Sequence, residues 1–89
     1  MRVRFTESAL EDIDSIRHFI GLDNPAAAAD VVTRLLRATE RLGDLPSVGR
    51  VGRVADTREL IVPPYAIVYT VMADTVWILR ALHGARKWP

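Results

Sequence analysis

The spacing of apolar residues changes once along this chain, and that change sets what it can fold into. From Ala9 to Leu42 they recur every three or four positions, the period of a helix with one buried face; beyond Thr57 they alternate or run together, as strands require. The first helical stretch carries Ala9, Leu10, Ile13, Ile16 and Ile20. Thr6 stands where an N-cap belongs, Glu7, Glu11 and Asp12 lie toward the positive end of the helix, and Gly21 ends it. Asn24 followed by Pro25 opens a second helix, along which Ala28, Val32, Leu35, Leu36 and Leu42 form a stripe before Gly43 closes it. A link of about four residues makes the two helices antiparallel neighbours.

Met1 to Phe5 alternates Val3 and Phe5 with Arg2 and Arg4 and reads as an early strand. Between Gly43 and Asp56 the periodicity dissolves into a loop holding Pro46, Gly49, Arg50, Gly52 and Arg53. Thr57 to Val62, Tyr65 to Ala73 and Thr75 to about Leu82 then form a meander turned at Pro63–Pro64 and at Asp74. The stretch from Tyr65 is apolar on both parities, as a central strand is. The expected class is α+β: two N-terminal antiparallel helices packed on one face of an antiparallel sheet, itself built from the N-terminal strand and the C-terminal three-strand meander. The other face is left partly open, where a groove can form.

With 89 residues the chain makes a single domain, 1–89, because a domain takes roughly 100 to 200 residues. A hydrophobic share of 49% and a net charge of +1 exclude a disordered chain. The absence of cysteine excludes disulfides, thiolate metal sites and a cysteine nucleophile, and fits a reducing cytoplasm. The longest apolar run, Tyr65 to Val71, is interrupted at Thr70 and falls far short of the ~20 residues of a membrane span. Arg2 and Arg4 lead straight into an amphipathic segment, so no signal peptide is expected.

Charge is distributed unevenly. Residues 1–45 hold six Arg against eight acids, whereas residues 46–89 hold five Arg and Lys87 against Asp56, Glu59 and Asp74. Planar guanidinium groups grip phosphates or carboxylates with paired hydrogen bonds, which makes an anionic partner plausible beside the plainer reading of solvated faces. No phosphate-binding loop, dinucleotide fingerprint or metalloprotease motif occurs, and His18 and His83 are too far apart in sequence to suggest zinc. Neither cofactor nor metal is expected.

The constellation able to carry chemistry is Arg50, Arg53, Arg58, Arg80, His83, Arg86 and Lys87, provided the loop and strand ends converge. Such cations can hold a phosphate backbone and stabilise charge in phosphoryl transfer, with His83 moving a proton. Arg58 suits this role and a structural cross-strand ion pair equally. Strict alternation puts Trp77, Leu79, Ala81 and His83 toward the helices and Arg80 on the open face. Arg80 and His83 then share a groove only if the strand breaks between them, for which Gly84 offers a place. Trp88 and Trp77 suit stacking on a partner or simple packing.

Several blocks resemble the RelE/ParE superfamily of bacterial toxins from type II toxin–antitoxin modules, and within it the ParE, or plasmid-stabilisation, branch. They are N-P-A-A-A at Asn24 to Ala28, P-S-V-G-R at Pro46 to Arg50, R-E-L-I-V at Arg58 to Val62, Y-A-I-V-Y at Tyr65 to Tyr69, and V-W-I-L-R-A-L-H-G-A-R-K-W-P at Val76 to Pro89. The resemblance implies a cytoplasmic toxin neutralised by a cognate antitoxin whose flexible tail wraps over it, with a toxin dimer also compatible. It implies one of two actions: inhibition of DNA gyrase, as in the ParE branch, or metal-independent mRNA cleavage on the ribosome, as in the RelE branch. Cleaving members often carry an arginine where Ala66 stands, lysines on the strand occupied here by Thr57 to Val62, and a late tyrosine with no counterpart after His83. These departures favour gyrase, with Arg50, Arg53, Arg58, Arg80, Arg86, Lys87 and Trp88 as the target-binding set. Arg80 and His83 would be the catalytic pair of a ribonuclease. A binding domain that has lost toxicity is the third reading.

Overall fold

Both helix starts are set by side chains acting on backbone donors that would otherwise lack partners. Thr6 Oγ1 accepts from the Ala9 N–H at 3.1 Å and Asn24 Oδ1 from the Ala27 N–H at 3.0 Å. In this computed structural model, which describes residues 1–84, 88 and 89, the elements run β1 (Arg2–Phe5), α1 (Glu7–Gly21), α2 (Pro25–Arg41), β2 (Arg50–Val51), β3 (Thr57–Val62), β4 (Tyr65–Met72) and β5 (Thr75–His83). They form one five-stranded sheet in the order β1-β5-β4-β3-β2 with the helices on one face. The α+β class and the helix and meander bounds match expectation.

Two features of the sheet differ from it. The sheet is mixed, because β1 lies parallel to β5, pairing Val3 with Val76 and Phe5 with Ile78. The Gly43 to Asp56 segment also contains the short strand β2, antiparallel to β3 through Arg50–Glu59 and Val51–Arg58.

The core lies between helices and sheet. Ala9 of α1, Leu35 of α2 and Leu42 meet Ile67, Tyr69, Val76 and Ile78, all fully buried. A second cluster joins Ile13, Val32 and Ala81. Leu10 and Leu36, counted into the helical stripes from their spacing, are 54% and 42% exposed, so the buried stripes are narrower than the periodicity suggests.

The faces of β5 also depart from strict alternation. Tyr69 pairs with Ile78 but Val68 pairs with Arg80, which leaves Leu79 as an extra residue in a β-bulge. Val76 and Ile78 therefore face the helices before the bulge and Ala81 after it; Trp77 and Leu79 do not take the helix-facing positions that alternation assigns them. On the opposite face, Ala66, Val68 and Leu82 are 8%, 1% and 4% exposed, so that face is not bare.

The β4–β5 hairpin turns on Ala73 and Asp74, and Ala73 has φ 53°. A left-handed conformation costs a residue with a Cβ about 1–2 kcal/mol, of which glycine's greater unfolded freedom would give back part. Ala73→Gly is therefore expected to stabilise the fold by about 0.5–1 kcal/mol, read as a rise of a few degrees in Tm. An unchanged or lower Tm would show that the turn carries no strain.

Candidate functional site

The rim of β5 beyond the end of β1 is completed by α1. The Thr6 N–H donates to Ile78 O at 3.0 Å, and the Thr6 hydroxyl donates to Leu79 O, also at 3.0 Å. One residue past the bulge, Asp12 takes over. Its Oδ2 accepts from Arg80 Nε at 2.6 Å and from the Ala81 N–H at 3.0 Å, while Oδ1 accepts from Arg80 Nη2 at 3.0 Å. The bulge and the Asp12 bridge belong together: the ladder loses its register at Leu79, and a helical carboxylate supplies the acceptor that a neighbouring strand no longer provides.

The two side chains of this fork are only 29% (Arg80) and 13% (Asp12) exposed. Hydrogen bonding to Asp12 is the main reason the Arg80 pKa rises above its ordinary value, against an opposing contribution from burial. A raised arginine pKa favours folding below the unfolded value and loses that contribution only above the folded one. Arg80 thus stays cationic throughout the physiological range and adds no pH dependence there.

Asp12 also lines a cleft of about 410 Å³ between α1 and the end of the sheet, together with Ile16, Phe19, Tyr65, Ala81 and His83. The Tyr65 and His83 rings meet edge to face, with centroids 6.0 Å apart and planes at 81°. Because β5 continues through His83, three residues after Arg80, their side chains leave the strand on opposite faces. No break occurs between them. Phe19 is 68% exposed and Leu22 76%, so this end of α1 presents unburied apolar surface beside the cleft.

A second group of arginines gathers at the other side of the sheet. Arg50 forks onto Glu59 Oε1 through Nε (3.3 Å) and Nη2 (2.9 Å). Arg58 Nη1 donates to the carbonyls of Gly49 (2.7 Å) and Ser47 (3.3 Å), so its structural partners are backbone acceptors rather than a strand acid. It borders a hollow of about 580 Å³ with Thr57, Tyr69 and Thr70. Arg53 is exposed and pairs with no carboxylate among the described residues.

The expected cations are thus divided between two regions, Arg80 with Asp12 on β5 and Arg50, Arg53 and Arg58 around β2 and β3. Trp88 is half-buried; Arg86 and Lys87, named from the sequence, lie outside the described residues. Asp12, Phe19 and Tyr65 were not singled out from sequence as site residues. Asp12 showed only as an acid near a helix start, with nothing local to mark a partner 68 positions away. Among the described residues no group of three or more His, Asp or Glu gathers as a metal site, and no helix is long and apolar enough to cross a membrane.

Comparison with known proteins places this architecture. The family model of the ParE toxin of type II toxin–antitoxin systems matches residues 3–88. The putative toxin Y4kP of Sinorhizobium fredii is 42% identical over 90 residues, spanning 99% of this chain and 93% of the relative. Toxin RelE2 of Caulobacter vibrioides is 42% identical over 86 residues, spanning 96% and 97% respectively. Among solved structures, a chain of the chromosomal ParDE system from P. aeruginosa superposes with a TM-score of 0.82 at 25% identity, covering 93% of this chain and 95% of the other. A chain of the RelBE2 toxin–antitoxin complex from Mycobacterium tuberculosis gives 0.64 at 28% identity, covering 96% and 92%. Two helices set on one face of such a sheet are the build this chain shares with those solved toxin–antitoxin chains, and they make it a small toxin of the RelE/ParE superfamily. This chain belongs to the ParE toxin family of type II toxin–antitoxin systems.

Proposed function

We propose that this toxin acts in the cytoplasm by inhibiting DNA gyrase and is neutralised by a cognate antitoxin. The observation that carries the choice of target is the Asp12–Arg80 fork. A guanidinium already bound through two nitrogens to a carboxylate is electrically compensated, and an RNA phosphate would have to displace Asp12 to use it. Arg58 is likewise engaged, by the carbonyls of the 46–50 segment. Catalysis by electrostatic stabilisation needs donors aimed at the developing charge, whereas an inhibitor needs only a surface that fits its target. Arg50, Arg53 and Arg58, with Arg86, Lys87 and Trp88, are the residues proposed to contact gyrase. The antitoxin is proposed to cover the exposed apolar end of α1, where Phe19 and Leu22 flank the cleft.

Two assays on the purified chain test this. Supercoiling by gyrase is expected to fall in proportion to added toxin, while primer extension on mRNA in a translating extract shows no new ends. The meeting of Tyr65 and His83 in the cleft supports the second reading, a ribosome-dependent endoribonuclease, since both side chains can exchange protons. New RNA ends that vanish with His83→Ala, together with undisturbed supercoiling, would replace the first reading by the second. Silence in both assays with tight antitoxin binding would leave a domain without toxicity.

A further inference from the structure

A third cleft, of about 450 Å³, runs between α2 and β3, and none of its lining residues belongs to either proposed site. One wall carries Arg34, Arg37 and Arg41, at spacings of three and four that put them on one helix face. All three are exposed, and among the described residues none pairs with a carboxylate; Arg34 alone has a partner, the Pro63 carbonyl at 3.3 Å. The opposite wall is Leu60, Ile61 and Val62. Here β3 has lost its outer neighbour, because β2 pairs only with Arg58 and Glu59.

Backbone alternation fixes what that rim offers. The Thr57 carbonyl accepts from the Gly52 N–H at 2.8 Å, so odd-numbered residues of β3 turn their backbone groups away from β4. Ile61 is therefore the position whose N–H and C=O face outward where no strand lies, and its side chain is 45% exposed. A cationic helix wall beside a vacant strand edge with apolar flanks suits one kind of occupant.

We propose that an extended, acidic segment of a partner protein adds to the sheet along Leu60–Val62, with alternate carboxylates reaching Arg34, Arg37 and Arg41. From Arg34 to Arg41 the helix rises about 10 Å, a distance that an extended peptide covers in about three residues. Two carboxylates on alternate positions, about 7 Å apart, therefore fall within reach of the long guanidinium arms. The intervening side chains share the face of Ile61 and are apolar and β-branched in the fitting sequence. A second copy of this chain would bring its own arginines against these, and nucleic acid would leave the backbone groups of Ile61 unused.

The test uses the whole chain and a short end-blocked peptide alternating glutamate and valine, with a lysine–valine peptide and a single-stranded RNA as competitors. The acidic peptide is expected to bind saturably and to slow hydrogen exchange of the Ile61 amide. Affinity should fall about tenfold in the Arg37→Glu/Arg41→Glu variant, since opposed charges become like charges. Ile61→Pro removes the outward N–H, a change strand edges tolerate, together with the exposed Ile61 side chain, and should weaken binding similarly. If that variant proves unstable, exchange at Ile61 in the unaltered chain decides. The proposal is overturned by no binding, by equal binding of the lysine peptide, by unchanged Ile61 exchange, by preference for RNA that Ile61→Pro leaves intact, or by self-association through this edge.

Discussion

Tyr69→Phe is expected to cost about 2–4 kcal/mol of folding stability, although it removes a single oxygen atom. That hydroxyl accepts from the Gly49 N–H at 2.9 Å and donates to the Pro46 carbonyl at 2.7 Å, on a side chain with no solvent exposure. Removing it strands the buried Gly49 donor, which costs about 1–3 kcal/mol when unpaired away from water, and the part-buried Pro46 acceptor, which costs less. The surroundings that remain are tight: a Cβ built on Gly49 would lie 2.7 Å from Tyr69 Cε1 and 3.0 Å from the Glu59 carbonyl. In a domain of this size 1 kcal/mol corresponds to about 4–8 °C in Tm, so the melting curve should move by at least about 8 °C. A shift under about 3 °C would mean that the 46–50 segment finds other partners.

Asp12→Ala is expected to cost about 2–3 kcal/mol, because it takes acceptors from Arg80 Nε and Nη2 and from the Ala81 N–H. The partial exposure of Arg80 keeps the figure below that of a fully buried pair, since its guanidinium can recover some hydration. A double-mutant cycle with Arg80→Met separates the pair from the backbone bond. The coupling should be a large fraction of the Asp12→Ala loss, the remainder belonging to Ala81. Under the gyrase reading, any loss of inhibition by Arg80→Met follows its loss of folded protein. Full stability with abolished RNA cleavage would instead identify Arg80 as a group acting on substrate.

The helices were legible because their signals are local. Thr6 and Asn24 act through atoms three residues away, and the apolar period is set by the helix itself. The meander was equally plain, since Pro63–Pro64 and Asp74 punctuate it. What escaped depends on distant pairing. Two residues are too few to show the alternation that would have revealed β2, and the direction of β1 depends on β5, more than seventy positions away. The bulge at Leu79 has no compositional mark, yet it reverses which side of β5 faces the helices and brings Arg80 and Ala81 to Asp12. Guanidinium groups could be counted from sequence, but their separation into two regions and their internal partners could not.

The connection between Gly43 and Asp56 has almost no regular structure, yet its backbone is fastened along its length. Tyr69 grips it at Pro46 and Gly49, Arg58 at Ser47 and Gly49, β3 at Arg50 and Val51, Thr57 at Gly52 and Val54, and Thr70 at Asp56. A protease needs a stretch of chain it can pull straight, and irregular connections are usually where it finds one. Cleavage here is expected to need the sheet itself to open, so the rate of limited proteolysis should follow global stability rather than the length of this coil.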